Sequence, residues 1–307
     1  MSANGHDPRR RRFLAAAAAA AMGMAAALPR ATIATDSAIR RPIPASDEWL
    51  PVIGLGTWLT FDVYQPESRL PVMRAFFEHG GGLIDSSPMY GEAEAVIGWC
   101  LERLGHPPGL FSATKVWTPG VATAPGQLAD SLRLWGLERL DLQQIHNLVQ
   151  WQRHIETLKA WKAEGRIRYL GVTTSHGRRH DELEQVMRTQ PLDFVQFTYN
   201  VIDREAERRL LPLAAERGIA VIINRPFRGG SLFNRVRGRP LPPWAGEIDC
   251  ANWAQFFLKY LVSHPAVTCA IPATTQAAHL HENMGAGRGR LPDAALRQDM
   301  LRYFQSL

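Results

Sequence analysis

Residues 80–115 read GGGLIDSSPMYGEAEAVIGWCLERLGHPPGLFSATK. A short apolar run, Gly82–Asp85, ends in a carboxylate. Apolar residues at helical spacing follow: Ala93, Ile97, Cys100, Leu101 and Leu104 share one face, and Gly105 supplies a C-terminal cap. A second apolar run, Leu110–Lys115, ends in an ammonium. Strand, helix and strand in this order are the repeating unit of a parallel sheet.

The unit recurs along the chain. Candidate strands are Ile53–Thr57, Gly82–Asp85, Leu110–Lys115, Asp141–His146, Tyr169–Thr173, Phe194–Phe197, Ala220–Asn224 and Val267–Ile271. Their ends are spaced 24 to 31 residues apart, with a last step of 47. Eight such units predict an α/β fold, a (β/α)8 TIM barrel spanning 42–307. An open doubly wound sheet is the alternative, but nothing marks a reversal of strand order. The long last step implies an inserted loop after strand 7, about 228–249, rich in Gly, Pro and Arg. Residues 42–52 suit a small N-terminal hairpin at the bottom of the barrel.

With 307 residues, 46% hydrophobic and 21% charged, the chain is neither disordered nor fibrous. Three cysteines are too few for a disulfide-built fold; Cys250, in the inserted loop, is a candidate for exposure. The net charge of +6 invites a nucleic-acid or anionic-membrane reading. Its location argues otherwise. Residues 1–41 hold seven arginines against two aspartates, which leaves +1 for the remaining 266 residues. No nucleic-acid partner is expected.

The leader has the three parts of an export signal: a basic start to Arg12, an alanine-rich stretch from Ala15 to Leu28, then small residues. As a helix that stretch would rise about 21 Å, short of the roughly 30 Å hydrocarbon core, so no stable membrane anchor is expected after cleavage. RRRFL, Arg10 to Leu14, resembles the twin-arginine motif; a Sec-type signal is the alternative. The expectation is a signal peptide over 1–34, cleaved between about 27 and 38, with the twin-arginine export machinery as partner and the bacterial periplasm as destination.

In a (β/α)8 barrel the active site lies at the C-terminal strand ends. That rule selects Asp85, Lys115 and His146, with Tyr90 in the turn after Asp85. Lys115 is one of only four lysines beside 31 arginines, so a lysine here is informative. The four groups suit one task. An ammonium favours a phenolate and pulls a phenol's pKa down. A carboxylate holds the ammonium, and an imidazole orients a carbonyl oxygen. Such a set would protonate a carbonyl oxygen while hydride arrives at carbon.

VIGLGTW, GGGLIDSSPMYGEAEAVIG, SATKVW, DLQQIHN and IPATTQAAHLHENM resemble, in order, segments of the aldo-keto reductases. The resemblance implies a barrel that binds a nicotinamide cofactor and interconverts aldehydes or ketones with alcohols. It assigns Tyr90 as general acid, Lys115 as the group that lowers its pKa, Asp85 as the partner of Lys115, and His146 as the orienter. NADP(H) is expected over NAD(H).

For the cofactor, the resemblance implies Thr57 and Trp58, Thr173 and Thr174 (in GVTTS), Gln196 (in VQFTYN), and Asn224, Arg225, Pro226, Phe227 and Arg228 at and beyond INRPF. Near the C-terminus it adds Thr274, His279, Glu282 and Asn283. Several positions depart from the family. Thr173 and Thr174 replace serine and asparagine, and Asn224 stands where a tyrosine commonly stacks on nicotinamide. Ala273 and His279 replace a lysine and an arginine that usually meet the 2′-phosphate. The arginine-rich insert is a candidate to compensate by closing over a pyrophosphate. Trp58 and Trp117 are expected to wall the substrate pocket, and Asn147 to widen it.

His176 and His180 share a helical turn but lack a third ligand, so no metal site is expected. The leading expectation is an exported carbonyl reductase or alcohol dehydrogenase. A nucleotide-binding barrel acting as a sensor or accessory subunit is the alternative.

Overall fold

A computed structural model describes residues 37–307. The export signal expected over 1–34 lies outside the described residues. A hairpin of β1 (Arg40–Pro42) and β2 (Trp49–Pro51) comes first. Eight parallel strands follow: β3 (Leu55–Gly56), β4 (Leu83–Asp85), β5 (Phe111–Val116), β6 (Leu140–Ile145), β7 (Ile167–Thr173), β8 (Phe194–Thr198), β9 (Ala220–Asn224) and β10 (Cys269–Ala270). Each pairs with its neighbour in sequence, and bridges from Ile53 to Ala270 and Gly56 to Ala273 close the ring. The fold is a (β/α)8 TIM barrel.

The closing seam is short because β3 and β10 approach very closely. A Cβ on Gly56 would lie 2.7 Å from the Ile271 carbonyl oxygen, and one on Gly54 would lie 3.1 Å from Cys269 Sγ. Glycine at both positions lets Gly54 and Gly56 donate backbone hydrogen bonds to the carbonyls of Ala270 and Pro272.

Helices α1 (Leu70–Glu78), α2 (Ala93–Arg103), α3 (Ala124–Trp135), α4 (Trp151–Ala163), α5 (His180–Thr189) and α6 (Leu210–Arg217) alternate with the strands. After β9 come α7 (Ser231–Val236) and α8 (Trp253–Val262), and after β10 come α9 (Ala277–Gly285) and α10 (Ala294–Ser306). Asn252 and Asp293 cap α8 and α10 by accepting from the amides of Gln255 and Leu296.

Period-two alternation sorts each strand into two faces. Leu83, Phe111, Ala113, Leu142, Tyr169, Phe194, Ala220 and Ile222 pack together inside the barrel, closed below by Ile43 and Leu50 of the hairpin segment. Ile84, Val116, Ile145, Val172, Val195 and Ile223 join the core beneath the helices. Continuing the inner rows upward places Asp85, Lys115, Gln144, Thr173, Gln196 and Asn224 at the same rim.

The insert is more ordered than a loop. It holds α7 and tight turns at Arg228–Gly230 and Pro243–Ile248. Its aromatic side chains drive this: Phe233 packs on Phe257, Trp244 on Phe256, and neighbouring Trp253 stacks on Tyr303. Cys250 is buried in this packing rather than exposed. Among the described residues no helix is long and apolar enough to cross a membrane.

Candidate active site

Asp85 ends β4 and Lys115 lies near the end of β5, both facing inward. The Lys115 ammonium is fully buried and donates to Asp85 Oδ2 at 2.6 Å and to the Ser86 carbonyl at 2.6 Å. The other carboxylate oxygen, Asp85 Oδ1, accepts from Gln144 Nε2 and Gln196 Nε2, both at 2.9 Å. Thr57 Oγ1 donates to the Asp85 carbonyl at 2.9 Å. The ion pair is therefore satisfied on both sides, the condition for keeping charge in a barrel interior.

Tyr90 sits in the turn after β4, with Lys115 Nζ 4.9 Å from its ring centroid. Gly91 makes that turn possible. Its φ is +58°, and any side chain there would strike the Asp62 carboxylate, which accepts the Glu92 amide instead. Burial raises the phenol's pKa above its usual value, Lys115 pulls it down, and Asp85 raises it again. The net direction is up, against the expectation that the lysine would lower it. Desolvation exceeds the attraction of an ammonium already neutralised by its carboxylate.

His146 follows β6 and meets the Tyr90 ring edge-on, centroids 5.7 Å apart. Its Nδ1 lies 3.1 Å from Ser87 Oγ, which also accepts the Met89 amide. Burial, then the Lys115 charge, lower its pKa to about 3, so the imidazole is neutral at ordinary pH. Lys115 itself is held charged, because Asp85 and Tyr90 together outweigh its burial.

A cleft of about 360 Å³ opens over Asp85 and Tyr90. Of the expected residues, Thr57, Trp58, Asn224, Arg225, Pro226 and Phe227 line it, with Gly229 and Gly230 at one end. Asn147, Thr174 and His176 line a neighbouring cleft of about 320 Å³. Trp117 stands exposed after β5. Thr173 accepts the Asn147 amide at 2.9 Å.

Other expected cofactor residues are engaged within the protein. Gln196 spends its amide on Asp85 and Gln144, and its oxygen accepts from Asn224. Asn224 also bonds Thr198 and the Thr174 carbonyl. Arg228 pairs with Asp203 at 3.2 Å. Elsewhere in the insert, Arg235 covers Phe304 and Arg237 binds Asn234, so neither reaches the cleft. Thr274 opens the turn into α9, accepting the Gln276 amide at 3.1 Å. On α9, His279 is exposed, Glu282 is half-buried, and Asn283 is buried with Leu280 and Met284.

The Thr174 hydroxyl is buried with no partner, and its residue lines the cleft beside His146's strand. A buried, unpaired donor beside an open cleft fits a ligand bearing an acceptor, as a nicotinamide carboxamide does. The expectation from sequence did not include Ser87, Gln144 or Thr198. Gln144 was discernible: it shares the inner face of β6 with Leu142 and stands two residues before His146.

A closed parallel barrel whose rim joins a buried lysine–aspartate pair to a protonated tyrosine and a neutral histidine is the architecture of a carbonyl-reducing enzyme. Residues 52–298 match the sequence model of the aldo/keto reductase family, and the chain belongs to that family of NAD(P)H-dependent oxidoreductases. Methylglyoxal reductase YeaE of Escherichia coli (strain K12) is 28% identical over 258 residues, covering 82% of this chain and 90% of that protein. An NADH-specific methylglyoxal reductase of the same organism is 25% identical over 234 residues, covering 64% and 69%. An aldo/keto reductase from Klebsiella pneumoniae in complex with NADP and acetate superposes with a TM-score of 0.69 at 25% identity, over 84% of this chain and 93% of its own.

Proposed function

We propose that this enzyme reduces an aldehyde or ketone, or oxidises the corresponding alcohol, with Tyr90 as the proton donor and NADP(H) as the preferred cofactor. The observation that carries the reading is the buried Asp85–Lys115 pair set 4.9 Å from the Tyr90 ring beside neutral His146. Thr57, Thr173, Thr174, Asn224, Pro226 and Phe227 would hold a reduced nicotinamide, which would supply the hydride.

The remaining chemistry belongs to the chain. Ser87 Oγ, 3.1 Å from His146 Nδ1, is assigned as the donor to that nitrogen. That tautomer leaves the Nε2 proton for a substrate oxygen, which it orients towards Tyr90. Tyr90, kept protonated by burial, gives its proton to the oxygen as negative charge develops there. Lys115 then stabilises the phenolate, and Asp85 holds Lys115 in place. In the reverse direction the phenolate accepts the alcohol proton.

Trp58 and Trp117 are assigned as pocket walls and Asn147 as the polar side of the pocket. Thr274, His279, Glu282 and Asn283 are assigned to the rest of the cofactor, while Gln196 and Arg228 are held by Asp85 and Asp203 instead. NADP in the Klebsiella structure supports the cofactor assignment; the NADH-specific relative makes a comparison of NADPH with NADH the direct check. We further assign residues 1–34 as a twin-arginine signal and the periplasm as destination, on the sequence of the leader alone. Secretion that persists when Arg9 to Arg12 are all replaced by lysine would overturn that assignment.

The test is loss of reduced-cofactor absorbance with an aldehyde panel, 2-oxoaldehydes included, for the wild type and Tyr90→Phe. The wild type is expected to turn over, and the variant to lose at least about a hundredfold in kcat. Cofactor binding without turnover across the panel would favour the sensor alternative. Full activity in Tyr90→Phe would remove the proposed proton donor.

A further inference from the structure

Two cations at the mouth of the site have no hydrogen-bond or carboxylate partner among the described residues. Arg225 lines the cleft above Tyr90, its guanidinium 5.8 Å from the centroid of the Trp58 ring. Among the described residues its side chain makes no hydrogen bond and no ion pair. Arg178 lines the neighbouring cleft with His176, and its side chain is likewise unpaired among the described residues. His176 lies within reach of both charges, its ring edge-on to Trp58 at 6.2 Å.

The carboxylates nearby are already taken. Asp203 Oδ2 accepts from Arg228 at 3.2 Å and Asn200 at 2.9 Å. Glu182 accepts from Arg179 at 2.7 Å and Trp151 at 2.8 Å. The balance left over at this rim is positive. Its effect reaches His176, whose pKa is lowered by burial and then by Arg225 and Arg178, with Asp203 opposing them only in part.

The arrangement is built rather than incidental. Arg225 and His176 both hold left-handed backbone, φ +51° and +62°, which non-glycine residues keep only when contacts enforce it. Those contacts come from the segment at the end of β8: Asn200 Nδ2 donates to the Arg225 carbonyl at 3.2 Å, and Thr198 Oγ1 accepts the His176 amide at 2.9 Å.

Resting on the reductase reading, we propose that the substrate carries an acidic group, a carboxylate or phosphate, held by Arg225 and Arg178 beside His176 while its carbonyl reaches Tyr90. Guanidinium donors match a carboxylate in two-point contact, and the half-buried setting of Arg225 strengthens that match. Both cations also draw an anionic substrate towards the mouth.

The test compares matched aldehydes on the full-length chain: butanal with 4-oxobutanoate, and benzaldehyde with 4-carboxybenzaldehyde. The acid of each pair is expected to have the higher kcat/KM, by about tenfold or more. Arg178→Gln and Arg225→Gln should each cut that preference by about tenfold, mainly through KM, and added salt should shrink it in the wild type. NADPH binding is followed separately by quenching of tryptophan fluorescence. If Arg225→Gln weakens NADPH binding and the preference survives, the anion held is the cofactor's phosphate and the proposal is overturned. If the neutral aldehydes react as well as the acids, the proposal fails and the reductase reading stands. If no aldehyde reacts, the reductase reading fails. Calorimetry with 4-(hydroxymethyl)benzoate against benzyl alcohol then decides the acid site: tighter binding of the acid, lost in Arg178→Gln, supports it, and equal binding overturns it.

Discussion

At the ends of β4, β5 and β6, the reactive groups are carried by the strands or by the residues next to them. After β9, the charged groups are carried by Arg225 to Arg228 and an insert with helices of its own. The first rim carries the motifs on which the family resemblance rests, and nearly every polar atom in it has a partner. The second departs from the motifs of that resemblance, and several of its arginines are engaged within the protein: Arg235 covers Phe304, Arg228 pairs with Asp203 and Arg237 binds Asn234. Strand ends are held by the ladders on both sides, so a reactive group there cannot move without disturbing the barrel. The segment beyond β9 has no such restraint and can change its chemistry while the barrel persists.

If the first rim is as tightly coupled as its hydrogen bonds imply, Lys115→Met should have the largest effect. It leaves the Asp85 carboxylate buried without its cation, at a cost of about 3–5 kcal/mol. Denaturant unfolding should read that loss, with reductase turnover falling to background. Lys115→Met at wild-type stability would break the contrast between the rims.

Gln144→Leu comes next. It removes one of two amide donors to Asp85 Oδ1, at a cost of about 1–3 kcal/mol. We expect kcat/KM to fall about tenfold, with rescue by Gln144→Asn smaller than a full return, since the shorter amide misses Asp85. An unchanged kcat/KM in Gln144→Leu would mean that Gln196 alone suffices to hold the carboxylate.

Acid should weaken the fold further out. His146 and His264 have pKa values lowered to about 3 and about 4 by burial. A lowered pKa means stability is present above the unfolded value of 6.5 and is lost as pH falls towards the folded value. The melting temperature should therefore drop between pH 6.5 and pH 4, by about 5 °C. A flat profile over that window would contradict two buried neutral histidines.

The smallest effect is expected in the insert. Arg235→Ala loses a cation over the Phe304 ring at the surface, and should lower the melting temperature by under about 2 °C with turnover intact. A large loss of activity would mean that the insert reaches the site after all.

The fold was legible because burial on both faces makes each parallel strand an apolar run, and because the runs recur at nearly even spacing. Asp85, Lys115 and His146 were legible because they break those runs at the same end. Ser87 was not, since a serine in a turn carries no signal of the imidazole it will meet. The first and last strands came out shorter than their apolar runs, because the seam rests on backbone contacts at Gly54 and Gly56 rather than on a long ladder.

By itself, the sequence determined the barrel through the spacing of its strands and the family through the motifs it resembles, and it placed Asp85, Lys115 and His146 at one end of the strands. Only the tertiary structure decided what those groups experience. The tyrosine's pKa moves up because burial outweighs a neutralised lysine, and Gln196 and Asn224 turn inward because Asp85 and Thr198 meet them there. Arg225 and Arg178 stand unpaired for the same kind of reason: the nearby acids are satisfied by donors far away in sequence. Charge compensation depends on which side chains meet across the rim, and that is settled by the closed barrel and its loops.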